Sequence, residues 1–445
     1  MQNISKIEMF VDHELIDQME HMSLKLHEPI RREKVITFDQ PYEGKTSGYV
    51  TVFSYNGKIH MYYRGYTHHK NNEAEYAVTC LALSADGVHF ERPDFSLVEF
   101  EGSRHNNIIY KDDEITHNFT PFIDVDGSVK AVGGHKKIDI NKASLYGLQS
   151  DDGVHFKKIQ EEPVLTDGMF DSQNVVLYDE SLHKYRCYSR YFHNDHLTSP
   201  KEYEGIRSIQ SAVSDDFLHW EKNIRNSYDT TVKEEFYTNA TVKVKGTDQY
   251  LSFPKRYVKE RERDFFNSGD TGVSDCVFMS SRDGCHWHRT FMEAYVRPGL
   301  DRKNWVNRNN MMALGIIETS DEEFSMYISE NYRTDTAGIR RLSIRKYGFS
   351  SVHAGYGKGM MITKPFTFSG NRLDINYSTS AVGFVKVTLL DKNKNVLATS
   401  EEMYGDEIFE QVLFDSDVKK YNNIPVRLMF ECKDSDLYAL TFKEE

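Results

Sequence analysis

The sequence predicts an all-β chain, a five-bladed β-propeller followed by a C-terminal β-sandwich. Three observations carry this expectation. First, one phrase returns four times, as Ser84-Ala85-Asp86-Gly87-Val88-His89-Phe90, Ser150-Asp151-Asp152-Gly153-Val154-His155-Phe156, Ser214-Asp215-Asp216-Phe217-Leu218-His219-Trp220 and Ser281-Arg282-Asp283-Gly284-Cys285-His286-Trp287. The copies start 66, 64 and 67 residues apart, and a worn fifth begins at Ser343, where Tyr347-Gly348-Phe349 keeps the glycine and the aromatic. A fixed period of this length marks one supersecondary unit used repeatedly. Second, the segments between the copies are short apolar runs separated by polar turns, with no helical 3.6-residue period. Third, aromatics make up 13% of the chain, with 27 Tyr and 27 Phe, which favours strands.

Taken in order, residues 1–45 read as an opening segment that packs on the propeller. In it Met9-Phe10-Val11 is expected as a short strand and Ile16 to Leu26 as weakly helical. Residues 46–357 hold the five units. Each runs from an apolar strand through a polar turn to a second strand rich in Tyr and Arg. A variable loop then leads to a third strand ending in the repeated phrase. Gly48-Tyr49-Val50-Thr51-Val52-Phe53 with Ile59-His60-Met61-Tyr62-Tyr63-Arg64 is the first such pair, and Asn174-Val175-Val176-Leu177-Tyr178 with Tyr185-Arg186-Cys187-Tyr188-Ser189-Arg190 is the third. Within the phrase, Asp-Gly or Asp-Phe makes a tight turn in which Asp bonds its own backbone and Gly takes positive φ, and His-aromatic opens the next strand. Because these Asp and His residues recur in every unit, they read as structural staples. A parallel β-helix would need a shorter period. From residue 358 to 445 alternating strands continue without the phrase, at Leu373–Tyr377, Gly383–Leu389, Val426–Phe430 and Leu437–Phe442, with a hairpin turn at Asp391–Asn395. This is the expected sandwich.

Lys and Arg number 55 against 68 Asp and Glu, so the net charge of −13 argues against nucleic acid or an anionic membrane as partner. The five cysteines are scattered with no metal-ligand spacing, so reduced, packed thiols and no metal site are expected. His117 and His135 are the histidines nearest the expected mouth, and no paired spacing makes them ligands. No organic cofactor is implied, and a structural ion in the propeller channel is left open. Met1 to Phe10 lacks a basic stretch followed by an apolar one, so a cytoplasmic location is expected. No apolar run reaches the roughly 18 residues of a membrane span. The oligomeric state stays open.

Function is expected where the repeat is broken. In a propeller the first strands line a central funnel, and their leading ends form its mouth with the loops joining strands two and three. The residues there differ from unit to unit and are mostly ionisable. The carboxylates are Asp171, Asp275, Glu330 and the Glu234/Glu235 pair, of which one, Glu235, is expected to point inward. Converging carboxylates are the equipment for glycosidic bond cleavage, one as acid and another as base or nucleophile. The cations are Arg64, Arg190, Arg207, Lys255, Arg256, Arg308 and Arg340. Their guanidinium forks match a carboxylate, sulfate or phosphate, or else they pair with the ring carboxylates and hold them in place. His117, Asn309 and Tyr332 complete the candidate substrate-binding set.

The Ser-x-Asp-x-x-His-Trp phrase, seen most purely from Ser214 to Trp220, resembles the staple of five-bladed propeller glycosidases, the invertase, levanase and arabinanase-like enzymes. More closely, Ser47-Gly48-Tyr49-Val50-Thr51-Val52-Phe53, Tyr62-Tyr63-Arg64-Gly65, His117-Asn118-Phe119-Thr120-Pro121-Phe122, Phe170-Asp171-Ser172-Gln173-Asn174 and Arg308-Asn309-Asn310-Met311 resemble a bacterial branch labelled glycosyl-hydrolase-like for its N-terminal domain. The resemblance covers nearly the whole chain and implies a propeller with a β-sandwich. It does not carry the invertase-type trio across. The nucleophile of that group is an aspartate opening the first inner strand, and Ser47-Gly48 stands in its place.

The sequence therefore leads first to a glycoside hydrolase acting on an oligosaccharide or glycoside, anionic sugars included. Asp171 and Asp275 are its expected working pair, with Glu330 or Glu235 tuning the site. A non-catalytic carbohydrate-binding propeller is the second reading. A sialidase-like enzyme, with arginines on a sugar carboxylate and Tyr332 near Glu330 as nucleophile and partner, is the third.

Overall fold

A computed structural model describes residues 2–68, 75–134, 143–193, 205–261 and 271–444. It is all-β, and among the described residues the helical elements are two 3-10 turns, Arg302–Asn304 and Lys419–Tyr421. No described helix is long and apolar enough to cross a membrane.

Five antiparallel sheets follow one another along the chain. The first orders Gly48–Tyr55, Lys58–His68, Glu75–Ser84 and Ile108–Tyr110, with Phe90–Glu91 added to the third strand. The second orders Thr120–Ile123, Val129–Gly134, Leu145–Ser150 and Lys157–Lys158. The third orders Val175–Asp179, Lys184–His193, Ile206–Ser214 and Ile224–Arg225. The fourth is split in two. Val242–Lys243, Tyr250–Ser252 and Met279–Ser281 form one part; Glu235–Phe236, Lys255–Val258, Val273–Val277 and Ala294–Val296 form the other. The break falls at Phe253-Pro254, where proline has no N–H for the ladder. The fifth orders Ile317–Glu318, Glu323–Glu330 and Gly338–Arg345, and its outer strand is Ile30–Thr37 from the N-terminal segment. The apolar run Met311 to Leu314 makes only isolated bridges, Met312 to Ile328 and Leu314 to Thr51.

The repeated phrase closes each hairpin as the residue types require. Asp86 Oδ1 accepts from the Val88 and His89 amides at 2.8 and 2.9 Å, and Ser84 Oγ accepts from the Gly87 amide at 2.9 Å. Asp152, Asp216 and Asp283 each take the two following amides in the same way. Gly87, Gly153 and Gly284 sit at φ of 76°, 74° and 74°, and Phe217 holds the equivalent place at 69°. The phrase also joins one sheet to the next. Tyr62 on the first sheet donates to the Gly153 carbonyl at 2.8 Å, Tyr188 on the third to Gly284 at 3.0 Å, and Tyr327 on the fifth to Gly87 at 2.7 Å. The last of these docks the fifth sheet on the first. Residues of the first strands, or of the segments leading to them, come from all five sheets to surround a cavity of ≈ 540 Å³, among them Thr51, Phe122, Val176, Val242 and Leu314.

Ser227–Tyr228 and His286–Trp287 pair parallel as a small sheet of their own, and the remaining described strands form an eleven-stranded sheet. Its backbone is two long strands, Arg372–Asp391 and Val426–Lys443, paired antiparallel across bulges. Each contains two of the shorter strands expected from sequence. The Asp391–Asn395 turn is present, with Lys394 at φ 71° and Asp391 Oδ1 accepting from the Asn393 and Asn395 amides at 2.8 Å.

The opening segment corrects one expectation. Ile16–Glu20 and Met22–Leu26 are strands, not weak helix, and they pair with Gly359–Thr363 and Ser350–Ala354 of the eleven-stranded sheet. His21 turns the corner between them at φ 53°. Local propensity in this stretch is weak, and strand partners more than 300 residues away decide the outcome. Residues 2–26 thus contribute to the C-terminal sheet, and Ile30–Thr37 to the fifth. All five cysteines are free thiols, four of them buried.

Candidate functional site

The leading ends of the strands enclose a second cavity, of ≈ 130 Å³, that draws on all five sheets. Gly48, Tyr49, Arg64 and Tyr66 come from the first sheet, and His117 and Asp171 precede the first strands of the second and third. Tyr237 and Lys255 come from the fourth, Arg308 and Met311 from the segment leading into the fifth, and Tyr332 from the loop between its strands Glu323–Glu330 and Gly338–Arg345.

Arg64 is the most elaborately held cation. Its guanidinium carbon lies 4.5 Å from the ring centroids of both Tyr49 and Tyr66. It donates to the Thr46 carbonyl at 2.8 Å and to the His117 carbonyl at 3.2 Å, with the His117 ring nitrogens at 3.3 and 3.4 Å. Tyr49 is backed by the Asp171 carbonyl at 3.3 Å from its hydroxyl. Burial, then the neighbouring Tyr237, pushes its phenol well above the usual range, so Tyr49 remains an O–H donor.

Lys255 reaches the cavity at only 1% exposure, with Nζ 4.0 Å from the centroid of Tyr237. Among the described residues Nζ has no hydrogen-bond or carboxylate partner. Burial, and then Arg308, Arg190, Arg207 and Arg64, drives its pKa well below that of an ordinary lysine. Arg308 stands at the rim in the left-handed region at φ 58° and keeps its charge there.

Asp171 is the one carboxylate among the lining residues. It is ion-paired with Arg190, which is 4% exposed and stacked at 5.0 Å on Tyr237. Arg207 stacks on the same ring at 5.4 Å and pairs with Glu235 at 2.5 Å.

The structure does not bring the other expected carboxylates to this cavity. Asp275 lines a separate space of ≈ 870 Å³ with Trp305 and Arg297, held bidentately by Arg256 at 2.9 and 2.7 Å. The strand register explains this, since Asp275 lies directly opposite Arg256 on the neighbouring strand. Arg256 also takes Glu234 at 2.8 Å. Glu330, 3% exposed, is clasped by Arg31 and by Arg340, the latter at 2.7 Å. Asn309 is fully buried and works behind the cavity, donating to Asn304 Oδ1 at 2.8 Å and accepting from the Tyr332 amide at 3.4 Å. His135 lies outside the described residues.

The candidate set thus divides. Asp171, Arg64, His117, Lys255, Arg308 and Tyr332 meet in one cavity, with Arg190 and Arg207 behind it; Asp275, Arg256, Glu330, Glu235 and Asn309 serve elsewhere or as support. Sequence reasoning misses Tyr49, Tyr66 and Met311. The signal for the two tyrosines is their register with Gly48 and Arg64 in a period-aligned unit. With the neighbouring arginines spent on carboxylates, Arg64, Lys255 and Arg308 face the space without a carboxylate partner among the described residues. That arrangement can hold one small anionic group against phenols and an imidazole.

No family model and no curated protein matches the sequence. Among solved structures, one described as a glycoside hydrolase is similar at 12% identity and a TM-score of 0.48, covering 72% of this chain and 92% of its own. A glycosyl hydrolase from Bacteroides ovatus is similar at 12% identity and a TM-score of 0.46, covering 71% and 94%. A β-1,2-mannobiose phosphorylase from Listeria innocua, in complex with β-1,2-mannobiose, is similar at 11% identity and a TM-score of 0.46, covering 73% and 97%.

Proposed function

We propose that this chain is a carbohydrate-active five-bladed propeller, residues 46–357, with a β-sandwich at 358–445, and that it cleaves a glycosidic bond to an anionic sugar in the ≈ 130 Å³ cavity. The observation that carries the reading is the meeting of Arg64 and Arg308 around a single lining carboxylate, Asp171, in a cavity that the buried Lys255 amine also borders. The cations take the sugar's acidic group, for which paired guanidinium donors are well suited. Asp171 is then the carboxylate at the reacting centre, and Tyr332 the hydroxyl beside it. A two-carboxylate mechanism needs its carboxyl groups about 5–5.5 Å apart for retention or about 6.5–9.5 Å apart for inversion. Asp275, in its own cavity, is not the partner for such a pair, so this reading sets Asp171 with a tyrosine and leaves Asp275 in its clasp with Arg256.

The same observation favours a second reading, a receptor that binds the acidic sugar and does not cut it. A panel of acidic and neutral sugars separates the two. Calorimetric titration should show acidic sugars binding the wild type and losing affinity with Arg64→Gln, while chromatography of acidic glycosides should show release of sugar that Asp171→Asn abolishes. Binding without release selects the receptor. Equal binding of neutral sugars, or no effect of Arg64→Gln, overturns the anionic site altogether.

A further inference from the structure

Lys255 has no defined task in an anion site that cleaves or merely binds. A lysine with 1% exposure ordinarily ends on a carboxylate, and here Asp171 is taken by Arg190 and Glu235 by Arg207. Its amine instead lies over the Tyr237 ring at 4.0 Å and borders the cavity. The cations facing it are Arg308, Arg190, Arg207 and Arg64, and the one carboxylate that lines the same cavity, Asp171, is held by Arg190. A desolvated amine beside other cations is the arrangement that makes a lysine nucleophilic.

We propose that Lys255 attacks the carbonyl carbon of a 2-oxo acid, a 2-keto sugar acid in its open-chain form being the natural member of the class, and forms an imine with it. This rests on the reading of the cavity as an anion site. The carboxylate of a 2-oxo acid would lie on the Arg64 and Arg308 guanidiniums, and its keto carbon is the next atom along, toward the amine. The neutral amine adds to that carbon, giving a carbinolamine. A lining phenol, Tyr49 or Tyr332, delivers a proton to the hydroxyl, the C–O bond breaks, and water leaves. The nitrogen then gives up its remaining proton to the phenolate, so the imine forms with no oxidant or reductant. Burial supports the chemistry, since it keeps the amine neutral and the Tyr49 phenol protonated at the same pH.

The test is reductive trapping of the full chain at neutral pH. Pyruvate is added with borohydride, and peptides are mapped by mass spectrometry. The expected result is one reduced adduct, on the peptide holding Lys255, formed well ahead of any on surface lysines. Acetone, which lacks the carboxylate, should give none, and Arg64→Gln should cut the yield at least tenfold. Lys255→Arg should remove the adduct, but the proposal does not depend on that variant folding, because the wild-type peptide map already locates the reaction. No adduct, or adducts spread over surface lysines, overturns it. Titration with oxalate keeps the two readings apart. If oxalate binds and is lost with Arg64→Gln while no adduct forms, the anion site stands and the imine falls. If oxalate does not bind, both fall.

Discussion

Replacing Glu330 tests whether this carboxylate belongs to chemistry or to architecture. Glu330 closes the second strand of the fifth sheet at 3% exposure and is shared by Arg31 and Arg340. Arg31 lies on Ile30–Thr37, the N-terminal strand that completes this sheet, and Arg340 lies on the strand between. Glu330→Ala therefore leaves two like charges facing each other where one anion had joined them. Breaking a buried pair by removing one partner costs about 3–5 kcal/mol. The two guanidiniums are 31% and 28% exposed, so water recovers part of this, and a loss of about 2–3 kcal/mol is expected. Glu330→Gln keeps an acceptor and should lose about half as much. Urea unfolding gives the magnitude, and hydrogen exchange locates it: the amides of Ile30–Thr37 should lose protection first. Sugar binding should be unchanged, because Glu330 does not line the cavity. Either variant abolishing turnover or binding at wild-type stability would refute the reasoning and put Glu330 back among the catalytic groups.

Three further outcomes follow from named contacts. Tyr327→Phe removes the hydrogen bond to the Gly87 carbonyl that docks the fifth sheet on the first, and should lower stability by about 1–2 kcal/mol, read as a shift in the urea midpoint. Trp287→Ala, at a residue 1% exposed, should cost about 3–5 kcal/mol and expose the fourth sheet to limited proteolysis. Acid should weaken the fold well before the carboxylates protonate. Burial lowers His27 to about 4, against the pull of Asp436, and burial, then Lys58, lowers His60 to about 4. Both are neutral when folded at pH 7 and bind a proton on unfolding between the ordinary histidine value near 6.5 and about 4. Their contribution is thus complete above that window and falls as pH drops through it. His60→Phe, which keeps the stacking on Phe53 seen at 6.2 Å, should flatten the loss between pH 6.5 and 4 measured by thermal unfolding.

What is legible in the sequence is what depends on neighbours in the chain. The staple can be read because Asp86 bonds amides two and three residues ahead, so its geometry is complete within one phrase. The second strands can be read from their own Tyr- and Arg-rich runs. The opening strands cannot. Ile16–Glu20 and Met22–Leu26 carry no strong pattern of their own and are strands because of partners beyond residue 349. The fourth sheet's division is equally hidden, even with Pro254 in plain sight, because a proline can end a strand or merely interrupt it, and only the partner strand decides.

The site is half legible for a related reason. Position in the repeat correctly gathers ionisable residues at one end of the strands, but it says nothing about which cation meets which anion. Those pairs are set by register and by distant chain. Arg256 faces Asp275 because the two are opposite each other on adjacent strands, and Glu330 meets Arg31 across 299 residues of sequence. Once the pairs are assigned, the ring arginines divide into those that hold carboxylates and those that do not. Arg190, Arg207, Arg256 and Arg340 hold carboxylates. Arg64, Lys255 and Arg308 do not, and they converge on Tyr49, Tyr237 and Tyr332. In a chain of net charge −13 the described partners of this cluster are mainly aromatic faces, with two backbone carbonyls and the His117 ring on Arg64. These are weaker counterparts than an anion, and on that difference the proposed anion site rests.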